Sequence, residues 1–387
     1  MLLFSVIKRE IMAIVTNRLY LSVVLALPIA MLLFFTIMFY DGTIDNLPVV
    51  LVDRDNSPMS QELANMVQST PGVEIVAEVQ SIDEAEGLML DGKVVAIIYI
   101  DKGFEESIYA GVTTEVELYI SGVNMSASGV VERDLQTVVE TLSSGVALSK
   151  LQSMGLGYRE AMADVMPINL HTNIVGNPYL NYGYYLAPIF MFMGLVIFIV
   201  VGTTYALGRE LRYATAKEWL CVAEGSLLRG VVGKFLPLTT IYILYTQLVY
   251  FILFVVMGME CKGSYVMLCL GGALLVLAYQ AVSLFIVTIT ANLRLALSLG
   301  GGYAVMAFTF SGITFPVMAM YGVAQLLSKI FPLSYFSNVL ISQAVVGAPE
   351  VYNAKDFVFL WLFVLLPLLL WRRLGKLVRY ERYWGQE

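Results

Sequence analysis

Residues 19–40 read LYLSVVLALPIAMLLFFTIMFY, 22 residues without one Asp, Glu, Lys or Arg. About 20 apolar residues in a helix cross the roughly 30 Å hydrocarbon layer of a bilayer, so this stretch predicts a membrane span. Five more uncharged runs follow, at Tyr182–Leu207, Phe235–Met259, Ser264–Ala291, Leu295–Gly312 and Phe357–Trp371. The stretch 313–348 is also apolar, but Pro316 and Pro332 interrupt it and Lys329 lies inside it. Proline removes a backbone donor, so this stretch reads as two short helices dipping partway into the bilayer. The composition agrees: of 387 residues, 58% are apolar, 14% are charged and the mean hydropathy is +0.76. A water-soluble globule, a disordered chain and a coiled coil are excluded on those values. The fold class is an α-helical polytopic membrane protein.

Charge is segregated along the chain. Residues 41–181 hold 21 of the 30 acids and 6 of the 23 bases, a local net of −15. The bases elsewhere gather in Lys8–Arg18, Arg209–Lys234 and Arg372–Arg382. Because cytoplasmic connections carry the positive excess, six spans with both termini inside satisfy the pattern, and the acidic 41–181 segment falls outside. Nucleic acid is excluded as a partner for a segment of that sign. A cleavable signal peptide is the other reading of the N-terminus, but the 19–40 run exceeds a typical signal core and lacks a small-x-small exit. Ahead of it, residues 1–16 place Leu3, Phe4, Ile7, Ile11, Ile14 and Val15 on one helical face and Ser5, Arg9 and Thr16 opposite. That pattern predicts a helix lying along the interface, with a plain extension of the first span as the alternative.

The chain therefore divides into 1–40 (interfacial helix and first span), 41–181, and 182–387, the last containing a loop at 208–234 and a basic tail at 372–387. Within 41–181, Leu47–Val52, Val73–Val79, Val94–Ile100 and Glu115–Ser121 are rich in β-branched residues and alternate with helical patterns. This order predicts an inserted α/β domain with a partly parallel sheet. Ser57 before Pro58 reads as a helix cap, and Ser81 with Glu84 as a capping box. A long helix after Asn124 carries Val131, Leu135, Val138, Leu142 and Val146 on one side.

Chemistry-bearing motifs are few. No GxxxxGK[ST] occurs, so the chain has no phosphate-cradling loop of its own. One histidine, His171, rules out HExxH and His-dependent serine triads, and it reads as structural. The run Asp53-Arg54-Asp55-Asn56-Ser57 starts like a calcium loop, but Pro58 and Ala64 occupy the Gly and Glu positions, leaving a turn that caps the next helix. Cys221, Cys261 and Cys269 form no disulfide or metal pattern. The spans carry no ionisable group of the kind an ion-coupled transporter keeps at membrane depth. If such a chain moves a substrate, energy must reach it from a partner, and the 208–234 loop, with both charge signs and an aromatic taken to be exposed, Trp219, is where a partner helix or cleft would engage.

Three stretches, LPVVLVDRDNSPMSQEL (47–63), GRELRYATAKEWL (208–220) and SGITFPVMAMYGVAQLLSKIFPLSYF (311–336), together resemble the ABC-2 type permeases of ATP-binding-cassette exporters, in the subgroup with a large extracytoplasmic domain after the first span. The resemblance implies a non-catalytic permease in a bacterial plasma (inner) membrane, dimeric with itself or a paralogue. ATP and Mg would be held by separate cytoplasmic ATPase chains, with a periplasmic adaptor and outer-membrane channel as further partners. It implies an exporter of drugs, lipids or similar amphiphiles. It also implies a coupling helix whose contact residues are Arg209, Glu210, Arg212, Tyr213, Thr215, Glu218 and Trp219. Re-entrant helices would form an external gate with Phe315, Pro316, Gln325, Pro332, Tyr335 and Phe336. Where the family commonly has Gly-Thr, this chain has Ala214-Thr215. The reading from residues alone keeps a second option, a receptor or structural anchor whose external domain binds a ligand.

Overall fold

The computed structural model describes residues 2–168, 174, 176–177, 181–312 and 315–385. His171 and the first two residues of the 313–348 stretch lie outside them. Two units emerge: Met1–Gly42 with Ile174–Glu387, and Thr43–Asn173.

Among the described residues of the first unit six helices are long and apolar enough to cross a membrane: Arg18–Met38, Tyr182–Arg212, Leu227–Val256, Tyr265–Thr290, Leu293–Phe310 and Glu350–Arg379, hereafter spans 1 to 6. Spans 2 and 4 form the centre, with 67% and 72% of their apolar windows enclosed by protein, whereas spans 1 and 6, at 17% and 11%, form the rim. Phe192, Leu195, Val196 and Ile199 of span 2 and Leu275, Val276 and Tyr279 of span 4 are fully enclosed. Close approach of spans 2 and 3 rests on Gly202: the Tyr242 hydroxyl donates to the Phe198 carbonyl at 2.8 Å, and a Cβ on Gly202 would lie 2.1 Å from that hydroxyl oxygen. Small residues at such crossings substitute for a hydrophobic driving force that lipid does not supply.

Spans 2, 3 and 6 run past the uncharged stretches, span 2 by continuing to Arg212. Span 3 begins at Leu227 rather than Phe235, because Ser226 caps it, accepting from the Arg229 N–H. Lys234 thus belongs to the helix and not to a loop. Span 6 continues through Pro367, which sits in the first turn of a tight 3-10 stretch, Leu366–Leu370, where a missing donor costs little. Between spans 5 and 6 lie two helices too short to cross, Gly322–Ser328 and Pro332–Leu340.

The N-terminal helix Leu2–Thr16 packs against span 3. Its buried side is Val6, Glu10 and Ile14, while Leu3, Phe4, Ile11 and Val15 are exposed. The apolar face read from sequence is therefore turned away from the protein, Ile14 excepted. In a lipid setting that face has a solvent of its own.

The second unit holds a four-stranded sheet in the order β2-β1-β3-β4, from β1 (Leu47–Asp53), β2 (Val73–Glu78), β3 (Ala96–Ile100) and β4 (Val116–Ile120). β1 pairs in parallel with β2 and β3, and β4 closes the edge antiparallel to β3. Strand alternation buries both faces: Val49 and Leu51 join Leu63, Val67, Val131, Leu135, Val138 and Leu142 on one side, and Val50 and Val52 join Ala85 and Ile97 on the other. The reciprocal capping box occurs at Ser57 and Ser60, whereas Ser81 makes the single bond from the Glu84 N–H. Asp53 accepts the N–H groups of Asp55 and Asn56 and the Ser60 hydroxyl, so the acidic run is a capping turn.

Candidate functional site

At one end of the first unit the chain turns between spans 2 and 3 through a short helix, Ala216–Val222, hereafter the loop helix. Span 2 ends at Arg212, and Ala214 takes a left-handed backbone, φ +59°. This turns the chain so that the Thr215 N–H returns to the Glu210 carbonyl at 3.0 Å. The loop helix stops where Glu224 and Gly225 both go left-handed and the Gly225 N–H reaches the Leu220 carbonyl at 2.9 Å.

Beneath this turn lies a buried charge cluster. The Arg9 guanidinium forks onto both Glu210 oxygens at 2.8 and 2.9 Å. Lys234, fully enclosed, donates to Glu10 Oε2 at 2.6 Å and Glu210 Oε1 at 2.7 Å. The Tyr20 hydroxyl completes Glu10 at 2.7 Å and the Thr215 hydroxyl completes Glu210 at 2.5 Å. Burial opposes the charge on Arg9, but the hydrogen bond and charge of Glu210 outweigh it and hold the guanidinium above its ordinary pKa. Two cations and two carboxylates cancel, which is the condition under which charges persist away from water. The cluster joins the N-terminal helix, span 1 through Tyr20, the end of span 2, the loop helix cap and span 3.

Trp219 shares this buried layer. Its ring lies 5.5 Å from Lys234 Nζ and packs on Gly230, where a Cβ would come within 3.1 Å of the indole. Its exposure is 0%, so the reading of Trp219 as an exposed docking aromatic is overturned; Tyr213, 59% exposed, is the aromatic that faces outward. The reason is packing: glycine at 230 opens a slot that a large flat ring fills. Of the seven residues expected to meet a partner, Arg212, Tyr213 and Glu218 are exposed, Arg209 and Thr215 are half-buried, and Glu210 and Trp219 are internal. Lys217, Cys221, Glu381 and Trp384 extend the exposed surface into a groove, with a Lys217–Glu381 pair at 3.7 Å and the Gly385 N–H on the Leu211 carbonyl at 3.0 Å.

The model of the ABC-2 family transporter proteins matches residues 18–373, from the first span to the last. The chain belongs to this family. Neither a curated protein nor a solved structure matches it. As an ABC-2 family member it is an ABC permease, a component of a membrane transporter.

In this ABC-2 permease the six residues between spans 5 and 6 fall into different environments. Phe315 and Pro316 are exposed. Gln325 donates to the Met320 carbonyl at 3.0 Å and thereby staples the 3-10 turn Val317–Ala319 to the helix Gly322–Ser328. Pro332 opens the next helix at its first turn, where its missing donor is harmless. On that helix the Tyr335 ring stacks on Phe359 of span 6 with centroids 4.7 Å apart, and Phe336 packs on Phe192 of span 2 at 4.6 Å. The last three residues therefore share one packed helix, and the first two do not belong to its buried face. Glu10, Tyr20 and Lys234 escaped the sequence reading of the site. The signal is Glu10, the lone acid of the helix Leu2–Thr16.

Proposed function

We propose that this ABC permease is the transmembrane subunit of an ATP-driven exporter of amphiphilic or hydrophobic substrates, working as a dimer above two separate ATPase chains. The chain is non-catalytic in this reading, and ATP and Mg belong to the partner. The observation that carries it is the joint between the exposed 212–218 turn and the buried cluster: a surface presenting Arg212, Tyr213 and Glu218 stands on charges that tie the N-terminal helix to spans 2 and 3, with span 1 joined through the Tyr20 hydroxyl. Force applied there reaches spans 1, 2 and 3 through short bonds rather than through a slack loop. A partner that closes on ATP would thus bias the packing of the bundle between two arrangements. In this reading both termini and the 208–234 segment face the cytoplasm, residues 41–181 form an extracytoplasmic domain available to a second copy or an adaptor, and the 313–348 helices are re-entrant and shape the outer exit.

The test is recruitment. The full chain is purified from its native membranes with and without Tyr213→Ala and Arg212→Glu, and the co-purifying ATPase is measured. Loss of the ATPase from both variants, with unchanged melting of the permease, supports the proposal. Undiminished recruitment by the double variant refutes the assigned surface, and an intact chain that never recruits an ATPase returns the reading to a receptor or anchor. Trp219→Ala is unsuitable, because truncating an enclosed Trp costs roughly 3–5 kcal/mol of stability before any partner is considered.

A further inference from the structure

Where span 6 ends, Leu369, Leu370, Arg372, Arg373, Lys376 and Tyr383 line a pocket of 430 Å³. We propose that this pocket binds the headgroup of an anionic phospholipid. The terminal turns, Trp371–Arg379, bury Leu374, Leu377 and Val378 against the protein and leave Arg372, Arg373 and Lys376 exposed on the other side. Arg373 is positioned by the end of span 4, donating to the carbonyls of Thr288 at 2.9 Å and Ile289 at 2.6 Å, so the cationic wall is fixed rather than trailing. The Tyr383 wall is held as well: Arg382 donates to its hydroxyl at 2.7 Å and lies 4.7 Å from its ring centroid.

Charge complementarity identifies the headgroup. Among the described residues no carboxylate pairs with Arg372, Arg373 or Lys376, and the nearest acid in sequence, Glu381, is turned to Lys217. Three cations without a counter-charge at the end of a membrane helix favour phosphate: Arg372 can offer its planar fork, while Arg373, whose Nε and Nη2 already hold the Thr288 and Ile289 carbonyls, adds its charge. The choice of a lipid over free phosphate comes from the other wall. Leu369 and Leu370 belong to it, and Leu362, Leu365, Leu368 and Leu369 are all exposed along span 6, giving acyl chains an apolar track into the same pocket. The site requires only that span 6 end at a bilayer surface, and it does not depend on the proposed ATPase coupling.

The delipidated full chain is examined by native mass spectrometry with phosphatidylglycerol, phosphatidylcholine or inorganic phosphate. Phosphatidylglycerol is expected to be retained over phosphatidylcholine and to resist millimolar phosphate. Each charge removed is expected to weaken retention about 5-fold, so Arg372→Gln with Lys376→Gln gives about 25-fold and Lys376→Arg restores the single loss. Equal retention of both lipids, displacement by phosphate alone, or indifference to the double variant overturns the proposal. A measurement on the unaltered chain guards against misfolding of variants: amine labelling of Lys376 in vesicles should slow with phosphatidylglycerol and not with phosphatidylcholine, and equal rates would count against the site.

Discussion

Replacing Lys234 by Met tests whether the buried charges act as one unit. Methionine nearly conserves the volume, so the change is electrostatic. Glu10 then retains the Tyr20 hydroxyl, Glu210 retains the Arg9 fork and the Thr215 hydroxyl, and the enclosed cluster passes from neutral to a net −1. Removing one partner of a buried pair costs roughly 3–5 kcal/mol, far above the value of about 0–1 kcal/mol for an exposed pair such as Lys217–Glu381. Glu10→Gln alone should destabilise comparably, by leaving a net +1. The double variant restores neutrality and keeps an acceptor for Tyr20, so its cost should fall to about 1–2 kcal/mol, a coupling of roughly 4 kcal/mol or more and therefore above the roughly 0.5–3 kcal/mol usual for contacting residues. The assay is unfolding of the full chain in mixed micelles, followed by circular dichroism and tryptophan fluorescence. If Lys234→Met costs less than about 1 kcal/mol, or if the two substitutions simply add, the cluster is not the electrostatic joint described here.

Three further outcomes are expected. Ala214→Gly should stabilise the chain by about 0.5–1 kcal/mol in the same assay, because φ +59° strains any residue with a Cβ and glycine's extra unfolded entropy offsets only part of that. Gly233→Ala should cost roughly 1–3 kcal/mol by pressing a new Cβ to 2.8 Å from Val6 Cβ, whereas Gly302→Ala, facing open space, should cost nothing. Asp55 accepts the Gly103, Phe104 and Glu105 N–H groups at 2.7, 3.2 and 3.1 Å; partial burial opposes its charge, but these bonds and one from Ser57 outweigh it and hold the carboxyl below its ordinary 3.8. A depressed pKa stabilises the fold above the ordinary value and is lost as pH falls through the folded one, so Asp55→Asn should speed hydrogen exchange over Phe104–Ala110 at neutral pH, with the difference from the unaltered chain undiminished down to about pH 3.8 and shrinking only as pH falls further, through the lower folded value.

What could be read from sequence follows from which signals are local. A 22-residue uncharged run needs no neighbour to declare itself, and Val49 to Val52 alternate onto two buried faces just as their β-branched spacing requires. Helix ends exceed the uncharged runs at Phe235 and Trp371 because charge does not end a helix: a cap at Ser226 starts span 3 ahead of Lys234, and past Trp371 the helix keeps Leu374, Leu377 and Val378 buried while Arg372, Arg373 and Lys376 stay exposed. Asp55 caps a helix 48 residues later, a pairing that no local pattern carries. The apolar face of the N-terminal helix is legible in its spacing, and Phe4 and Val15 do face away from the protein, whereas the inward turn of Glu10 to Lys234, far along the chain, leaves no local mark. Trp219 was misread because the slot that receives it is made by Gly230, eleven residues on, and an absent side chain leaves no mark of what fills it.

The cluster is better explained by position than by stability. Buried ion groups often add nothing over apolar packing of the same volume, so four charges holding one joint are an inefficient way to strengthen a fold. What they do supply is register. A greasy contact slides with gradual loss, but the Arg9 fork and the two Lys234 bonds, all 2.6–2.9 Å long, fail together once the turn shifts by an ångström or two. With one helix contributing Arg9 and Glu10, another Glu210 and a third Lys234, no one of them moves without stranding a charge on the other two. The 212–218 turn must therefore travel with the N-terminal helix and the adjoining ends of spans 2 and 3 as a block, or else stay where it is. Under the proposed coupling, that all-or-none behaviour would convert a push on Tyr213 and Arg212 into a change of packing along the helices rather than a local bend.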